Sequence, residues 1–346
     1  MTNNKLFIKT LRGEKNDRVP FWFMRQAGRY LPEYMALRKE AGSFLDLCYN
    51  PDFAAEVTLQ PIRRFNMDAA ILFSDILVIP HALGQDLAFK VGEGPVLTPV
   101  NNLEKLEALS DKNLHDHLNP VYQTVSNLSK ALPEHVALIG FAGAPWTVAT
   151  YMVNGRGSKD QAETRLMAYQ DRETFTKLID LLVTSTSEYL IRQVDHGAEA
   201  LQIFDSWSGT LPADEFIKWC VEPVQKIVEN IRAVHPDVPI IGFPKGAGAK
   251  IKNFVKKTKV NAVSIDTSTS ITWVQNVMQP LCTVQGNLDP LLLVSGGEPL
   301  KKAVYHILDH LKDGPHVFNL GHGIIPQTPP ENVKMVSDII LNYRRS

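Results

Sequence analysis

Residues 137–141 read Ala-Leu-Ile-Gly-Phe, a short apolar run without a charged side chain. Similar short, mostly apolar runs recur along the 346-residue chain. Together they fall at residues 19–24, 70–73, 137–141, 200–204, 239–243, 262–265, 282–285 and 316–320. Runs of this length are typical of strands buried on both faces of a parallel sheet. The stretch at 137–141 and its repeats therefore predict eight parallel strands.

Longer amphipathic stretches follow most of these runs. The clearest lie at residues 173–195, 213–234, 271–279, 300–312 and 331–343. Strands that alternate with helices indicate βαβ units. Eight such units predict an α/β fold, a (β/α)8 TIM-type barrel that spans residues 1–346 as one domain. An open doubly wound sheet is the alternative, although Arg-Gln-Ala-Gly-Arg at 25–29 is not the glycine-rich dinucleotide turn.

Two segments depart from the simple alternation. Residues 87–97, with Gly92 and Gly94, predict a β-hairpin inserted after the second strand, followed by two extra helices that end near Leu132. Residues 155–159 read Gly-Arg-Gly-Ser-Lys and predict a mobile loop. Such a loop is either a plain connector or a lid over a site.

Charge and cysteine content narrow the class of protein. The chain carries 36 Lys and Arg against 37 Asp and Glu, a net charge of −1, which argues against bulk attraction to nucleic acid or to anionic lipid. An anionic substrate must then be met by individually placed cations. The three cysteines are scattered and odd in number, at Cys48, Cys220 and Cys282, which predicts reduced thiols in a cytoplasmic protein.

The sequence also predicts that the chain has no membrane-spanning helix, no secretory signal and no metal or nucleotide site. The longest near-apolar run, residues 69–80, is interrupted by Ser74 and Asp75 and is too short to cross a membrane. Residues 1–10 lack the apolar core of a secretory signal. There is no zinc-type spacing of Cys and His and no P-loop, so we expect no metal and no nucleotide.

In barrel enzymes the chemistry lies on the loops after the carboxyl ends of the strands. Polar residues and glycines cluster at those positions here. They are Arg25, Gln26, Gly28, Arg29, Tyr30, Ser74, Asp75, Gly143, Pro145, Trp146, Asp205, Ser206, Trp207, Lys245, Asp266, Asn287, Asp289, Gly321, His322 and Gly323.

Asp75 is the sharpest of these signals, because a carboxylate among apolar neighbours is costly to bury unless donors or cations meet it. Its alternative role is to cap the helix that follows. Arg25 and Arg29 flank Gly28, and their guanidinium groups can bind carboxylates with two parallel hydrogen bonds. They could equally be surface arginines paired with Glu33 or Glu40.

Other strand-end residues are open to two interpretations. His322 between two glycines can face a ligand or serve the structure, and Tyr151 can clamp a ligand or pack. Lys245 can form a Schiff base, although a solvated lysine or a pair with Asp266 is the plainer interpretation. For Asp205 and for Asp266 we expect structural ion pairs at the barrel mouth.

The motifs of the chain resemble those of the uroporphyrinogen decarboxylase family. Residues 20–34, PFWFMRQAGRYLPEY, are similar to its N-terminal signature, and residues 140–152, GFAGAPWTVATYM, to its second. Further matches are FSDIL at 73–77, FDSWSG at 204–209, GFPKG at 242–246, QGNLDP at 285–290 and NLGHGI at 319–324. They follow the family order over nearly the whole chain.

This resemblance implies a (β/α)8 barrel, a homodimer and an enzyme of haem biosynthesis that needs no cofactor. It implies removal of four acetate carboxylates from uroporphyrinogen III as CO2, giving coproporphyrinogen III. The substrate-binding residues it implies are Arg25, Gln26, Ala27, Gly28, Arg29, Asp75, Tyr151, Ser206 and His322. Among them Asp75, Arg25 and Arg29 are the implied catalytic residues.

Three other functions stay open on the sequence. A corrinoid-linked methyltransferase has a similar barrel but activates thiols on zinc, and bound zinc would reveal it. A lysine aldolase would use Lys245 and would be trapped by borohydride. A tetrapyrrole carrier would bind without releasing CO2.

Overall fold

The computed structural model describes residues 4–90 and 92–345. Within these residues seven strands form one parallel sheet in the order β1-β4-β5-β6-β7-β8-β9, and two others pair separately. The strands are β1 Ala69–Ile71, β2 Leu87–Lys90, β3 Gly94–Leu97, β4 Ala137–Gly143, β5 Ala200–Asp205, β6 Ile240–Pro244, β7 Ala262–Ser264, β8 Thr283–Gln285 and β9 His316–Val317. The α/β fold expected from the sequence is confirmed.

Helices connect and cover the strands. They are α1 Leu6–Leu11, α2 Pro32–Ala41, α3 Phe44–Tyr49, α4 Pro51–Phe65, α5 Val78–Ala82, α6 Leu103–Glu107, α7 Leu114–Ala131, α8 Pro145–Asn154, α9 Ala162–Gln170, α10 Arg172–Asp195, α11 Ala213–Phe216, α12 Glu222–Val234, α13 Ile251–Thr258, α14 Ile271–Trp273, α15 Pro290–Ser295, α16 Gly297–His310 and α17 Pro330–Asn342. No helix in the described part of the chain is both long and apolar enough to cross a membrane.

Two of the expected helices are interrupted. The stretch expected at 213–234 contains a π-helical turn at Ile217–Val221 between α11 and α12. The stretch expected at 271–279 turns from α14 into a second π-helical turn at Val274–Met278. Each wide turn shifts the helical register by a fraction of a turn, which a periodic apolar pattern does not show.

The expected first strand, residues 19–24, does not form a regular ladder. Phe21 makes a single parallel bridge to Phe318, beyond β9, and its carbonyl accepts a 3.0 Å hydrogen bond from the amide of Asp68, before β1. Side chains replace the missing ladder partners: the amide of Phe21 donates to Asp68 Oδ2 and that of Met24 to Asn319 Oδ1. The segment therefore lies between the two edges of the seven-stranded sheet.

The excursion after β1 contains the antiparallel pair β2 and β3, in which Lys90 lies opposite Gly94. Val91, which falls within the expected hairpin at 87–97, lies outside the described residues, as do residues 1–3 of the segment at 1–10. Helices α6 and α7 follow the pair. The loop at 155–159 is anchored at its start, where the Gly155 carbonyl accepts a hydrogen bond from Leu97.

The core has two parts. The larger lies between the sheet and its helices. The smaller fills the inner face of the sheet, where Ala137, Ile139 and Ile241 pack with Phe7 and Leu11 of α1. Helix α1 is fixed at the amino ends of the strands, because Lys5 Nζ donates to the Val136 carbonyl, just before β4, at 2.8 Å. The carboxyl ends of the strands are thus the edge left for a site.

Candidate active site

Four of the residues expected from the sequence come together at the carboxyl ends of the strands. Arg25 follows the bridging segment, Asp75 follows β1, Tyr151 lies on α8 after β4, and His322 follows β9. Arg25 acts electrostatically on each of the other three. The structure therefore assembles one polar site from both ends of the chain.

Asp75 is half-buried and held in a fixed orientation. Its Oδ1 accepts a 2.9 Å hydrogen bond from the amide of Leu77, whereas Oδ2 accepts none from the described residues. Helix α5 takes Leu77 as its N-cap residue, so Asp75 closes a turn before the helix and does not cap it. Burial raises the pKa of Asp75 to about 6, although the Leu77 amide and Arg25 favour the ionised form. One carboxylate oxygen thus remains available to a ligand.

Arg25 has an unusual backbone and an open side chain. Its φ is +59°, a left-handed conformation that is strained for a residue with a side chain. The side chain lies over Gly323, where a Cβ atom would come within 2.6 Å of Arg25 Cγ. Arg25 is exposed and forms no ion pair within residues 4–90 and 92–345. Its guanidinium is therefore available to an anion.

Arg29 is also exposed, but it lies towards Tyr34, whose pKa burial raises to about 12 while the charges of Arg38 and Arg29 oppose the rise. The interpretation of Arg25 and Arg29 as partners of Glu33 is wrong, because Glu33 pairs with Arg64 through two 3.1 Å contacts. Both arginines are thus free cations at the edge of the site in the part of the chain that is described.

The residues between the two arginines shape the turn. Gln26 is fully buried, and its side-chain amide accepts from the Phe23 amide and donates to the Ala69 carbonyl. Ala27 packs against the core, and a Cβ at Gly28 would lie 3.1 Å from the Arg25 carbonyl oxygen. The side chain of Gln26 is therefore committed to the protein, and the close approach at Gly28 occurs within the chain.

Lys245 lies near enough to His322 to act on it electrostatically. Burial, together with the positive charges of Lys245 and Arg25, lowers the pKa of His322 to about 4. The imidazole is therefore neutral at physiological pH. The expected pair of Lys245 with Asp266 is wrong, because Asp266 instead accepts from the amides of Gly246 and Ser268. Lys245 thus adds a third cation to the mouth of the sheet.

Aromatic groups border the site on the α8 side. Burial raises the pKa of Tyr151, and a hydrogen bond from Trp207 offsets part of the rise. Trp146 is fully buried, and its indole N–H donates to the Trp207 carbonyl at 3.1 Å. Ser206 is half-buried beside Trp207 at the end of β5 and makes no hydrogen bond with the described residues.

Within residues 4–90 and 92–345 the expected ion pairs of Asp205 and Asp266 do not form. Both side chains accept hydrogen bonds instead, Asp205 from the Thr147 hydroxyl at 2.6 Å. Sequence reasoning did not single out Thr147, although it stands four residues before Tyr151 and hence on the same face of α8. That spacing was the available signal.

The arrangement can bind an anionic ligand that also carries N–H donors. Arg25 lies near the Asp75 carboxylate, which keeps a free oxygen, and both Arg25 and Lys245 lie near the neutral imidazole of His322. Among the described residues, no group of three or more His, Cys, Asp or Glu side chains is placed to hold a metal ion.

Comparison with known proteins gives a consistent result. The family model for uroporphyrinogen decarboxylase (URO-D) matches residues 2–343. The chain is 54% identical over 336 residues to uroporphyrinogen decarboxylase of Rhodospirillum rubrum, covering 97% of each protein. It is 53% identical over 334 residues to that of Mesorhizobium japonicum, covering 96% of this chain and 97% of the relative.

Solved structures support the fold. A methyltransferase from Methanosarcina mazei superimposes with a TM-score of 0.80 at 19% identity, over 97% of this chain and 98% of that one. A B12-independent methionine synthase from a Shewanella species superimposes with a TM-score of 0.59 at 9% identity, over 84% of this chain and 87% of that one. At such identities the likeness concerns the fold alone.

Proposed function

Because the chain belongs to the uroporphyrinogen decarboxylase family, we propose that it converts uroporphyrinogen III to coproporphyrinogen III at the site described above. The enzyme is a carboxy-lyase of porphyrin and haem biosynthesis. Each of the four steps turns an acetate arm into a methyl group: the C–C bond to the carboxylate breaks, CO2 leaves, and one proton is taken up at the remaining carbon.

The observation that carries this function is the free oxygen of Asp75. The substrate is a flexible macrocycle with four pyrrole N–H groups, and an ionised carboxylate accepts several hydrogen bonds at once. Asp75 is oriented by the Leu77 amide and leaves Oδ2 open. We assign Asp75 to the N–H edge of the macrocycle, where its charge stabilises positive charge that develops on a pyrrole ring.

The surrounding cations suit the carboxylates of the substrate. Arg25 and Arg29 can each bind a carboxylate through two parallel hydrogen bonds. Lys245 supplies a further positive charge, and His322, being neutral, can donate or accept a hydrogen bond without adding charge. We assign these four residues, with Tyr151 and Ser206, to substrate binding. Arg25 and Arg29 also take part in catalysis, Arg25 because it lies beside Asp75.

The substrate itself supplies the electron sink. A pyrrole ring protonated at its α-carbon accepts the electron pair that the departing CO2 leaves behind, which is the task usually given to a cofactor. The exocyclic methylene left by CO2 then takes up a proton to become the methyl group, and the α-carbon gives up its added proton, which restores the aromatic pyrrole. No cofactor is needed for this step, and the protein contributes binding, orientation and electrostatics.

Gln26, Ala27 and Gly28 contribute to binding through the backbone of the turn. The Gln26 side chain is used by the Phe23 and Ala69 backbone. We therefore assign to these residues the placement of Arg25 and Arg29, together with any substrate contact from exposed peptide groups.

The architecture that supports this site is a closed barrel in one domain, residues 1–346. The bridge from Phe21 to Phe318 and the hydrogen bond from the Asp68 amide to the Phe21 carbonyl support closure by the segment at 19–24. The hairpin β2–β3 with α6 and α7 is the insertion after the second strand of that barrel. Three cysteines without disulfides support a cytoplasmic location.

We further propose a homodimer whose active-site mouths face each other. Trp146 does not contribute to such an interface, because that side chain is fully buried. Exposed Leu166 and Tyr169 on α9, three residues apart, offer an apolar patch in its place. Sedimentation at micromolar concentration should give twice 38.7 kDa; a fully active species at 38.7 kDa would exclude an obligate dimer.

The decisive test is anaerobic incubation with uroporphyrinogen III, followed by oxidation and chromatography of the porphyrins. We expect coproporphyrin to appear through products with seven, six and five carboxylates. Binding without CO2 release would indicate a carrier and overturn the proposal. Loss of activity on removal of bound zinc would point to the methyltransferase, and borohydride trapping at Lys245 to the aldolase.

A further inference from the structure

The most unusual buried group outside the substrate-facing set is Asp205. It ends β5, is 1% exposed, and forms no ion pair in the part of the chain that is described. An isolated buried carboxylate is costly unless its hydrogen bonds serve a purpose. The Cys220 thiol faces it, but no hydrogen bond of normal length from the described residues reaches Oδ2.

Its strong partner is the hydroxyl of Thr147, which donates to Asp205 Oδ1 at 2.6 Å. Several buried helical threonines in this protein turn the hydroxyl back onto their own helix. Thr58, Thr124 and Thr258 each donate to the carbonyl four residues earlier. Thr147 instead reaches across to the end of a neighbouring strand.

The Thr147 hydroxyl also accepts a 3.1 Å hydrogen bond from the amide of Trp207. A hydroxyl has one proton, so accepting from Trp207 leaves that proton for Asp205. The negative charge of Asp205 strengthens the bond that it receives. The hydroxyl therefore joins the start of α8 to the loop after β5 in one fixed geometry.

Both connected segments carry substrate-facing groups. Tyr151 stands one helical turn after Thr147 on α8, and Ser206 lies between Asp205 and Trp207. The Trp207 side chain hydrogen-bonds to Tyr151, and the Trp207 carbonyl accepts from the indole of Trp146. A shift of Thr147 against Asp205 would move both groups relative to Asp75.

We propose that Asp205 and Thr147 are positioning residues that fix Tyr151 and Ser206 for decarboxylation. Neither touches the substrate; they act through Trp207 and α8. This inference rests on the proposed function for its kinetic readout, and its structural readout is independent of that function.

The test compares Thr147→Val, which removes the hydroxyl and keeps the shape, with Thr147→Ser, which keeps the hydroxyl. We expect Thr147→Val to lower kcat about 10- to 100-fold, since small displacements of positioned groups have effects of this size. Thr147→Ser should restore most of the loss. The matched control is Thr258→Val at the end of α13. It removes a buried hydrogen bond from the hydroxyl to the Phe254 carbonyl and should leave kcat unchanged.

A double variant separates positioning from general damage. If Thr147 acts through Tyr151, adding Thr147→Val to Tyr151→Phe should lower kcat much less than it does alone. Independent, multiplying losses would overturn the proposal. So would full activity of a folded Thr147→Val protein.

Hydrogen exchange supplies the readout that needs no turnover. The Trp207 amide should exchange faster in Thr147→Val than in Thr147→Ser, together with the amides of α8, when each variant is measured at the same interval below its own Tm. Equal exchange would overturn the positioning role even if the enzyme is active. Inactive wild-type protein would overturn the proposed function, while the exchange result would still decide whether Thr147 holds the loop.

Discussion

Arg25 occupies the space that a side chain at position 323 would need: a Cβ on Gly323 would lie 2.6 Å from Arg25 Cγ and 3.0 Å from its Nε. Because Gly323, near the C-terminus, has no side chain, the side chain of Arg25, near the N-terminus, can lie where it does. This relationship explains why a glycine follows His322.

Gly323→Ala should therefore displace Arg25 and lower kcat/KM at least about tenfold, since a misplaced binding group is costly to the transition state. Steady-state kinetics with uroporphyrinogen measure the loss. Thermal unfolding supplies the control: the substitution should lower Tm in the wild-type background and less so with Arg25→Ala, which frees the space. An equal drop in Tm in both backgrounds would show that Arg25 is not the group displaced.

Asp75→Asn should fold normally and lose about 100-fold or more in kcat, because an amide cannot offset a developing positive charge, an effect typically worth about 3 kcal/mol. Asp116→Asn, at an exposed position on α7, is the matched control. Because the pKa of Asp75 is raised to about 6 and the ionised form is the active one, wild-type kcat/KM should rise with pH through about 6. A folded Asn variant with near-normal turnover would contradict the role given to Asp75.

Arg25→Lys and Arg29→Lys should each lower activity, since a point charge does not reproduce the paired hydrogen bonds of a guanidinium. The loss in kcat should be greater for Arg25, which lies beside Asp75. Arg63→Lys, in a surface pair with Glu56, is the control and should have no effect. Unchanged kinetics in both site variants would mean that these are ordinary surface arginines.

Lys245→Met should raise the pKa of His322 above its value of about 4, because one of the two cations that oppose imidazolium formation is removed. Titration of the His322 ring protons by NMR measures the change. Lys256→Met, on exposed α13 surface, is the control. A pKa that does not move would place the Lys245 ammonium away from the imidazole.

Asp205→Asn should change how stability depends on pH. Burial raises the pKa of Asp205 from 3.8 to about 6 in the folded state. Well below pH 4 the group is protonated in both states; as pH rises from about 4 to 6 it ionises in the unfolded state but stays protonated in the folded state, which lowers the free energy of unfolding, and above about 6 the loss no longer grows. The free energy of unfolding of wild type minus that of Asp205→Asn should thus fall by roughly 2–3 kcal/mol between pH 4 and pH 7. Urea unfolding measures it, with exposed Asp214→Asn as control; a difference that does not change with pH would contradict the raised pKa.

The parts of the fold that are visible in the sequence are those set by local pattern. The run at 137–141 became β4 because its apolar side chains fill both faces of the sheet. The run at 19–24 reads as a similar strand, yet the amides of Phe21 and Met24 donate to the side chains of Asp68 and Asn319. Asp68 and Asn319 are distant from this run in sequence, and no local pattern predicts that they bind it.

The candidate site was also predictable only where local sequence determines it. The rule that functional groups follow strand ends located Asp75 and His322. The commitment of Gln26 to the backbone and the bond between Thr147 and Asp205 depend on which elements become neighbours. Residue type alone favoured an ion pair for Asp205, and the structure supplies a hydroxyl instead.

The bridge between Phe21 and Phe318 cannot form until almost the whole chain has been synthesised. The ribosome must add 297 residues after Phe21 before its partner exists, which takes about 15–60 s at about 5–20 residues per second. For nearly all of that interval Arg25 has been synthesised, but Gly323, against which its side chain packs in the folded protein, has not. A nascent chain released before residue 323 would therefore lack activity, however well its first strands had packed.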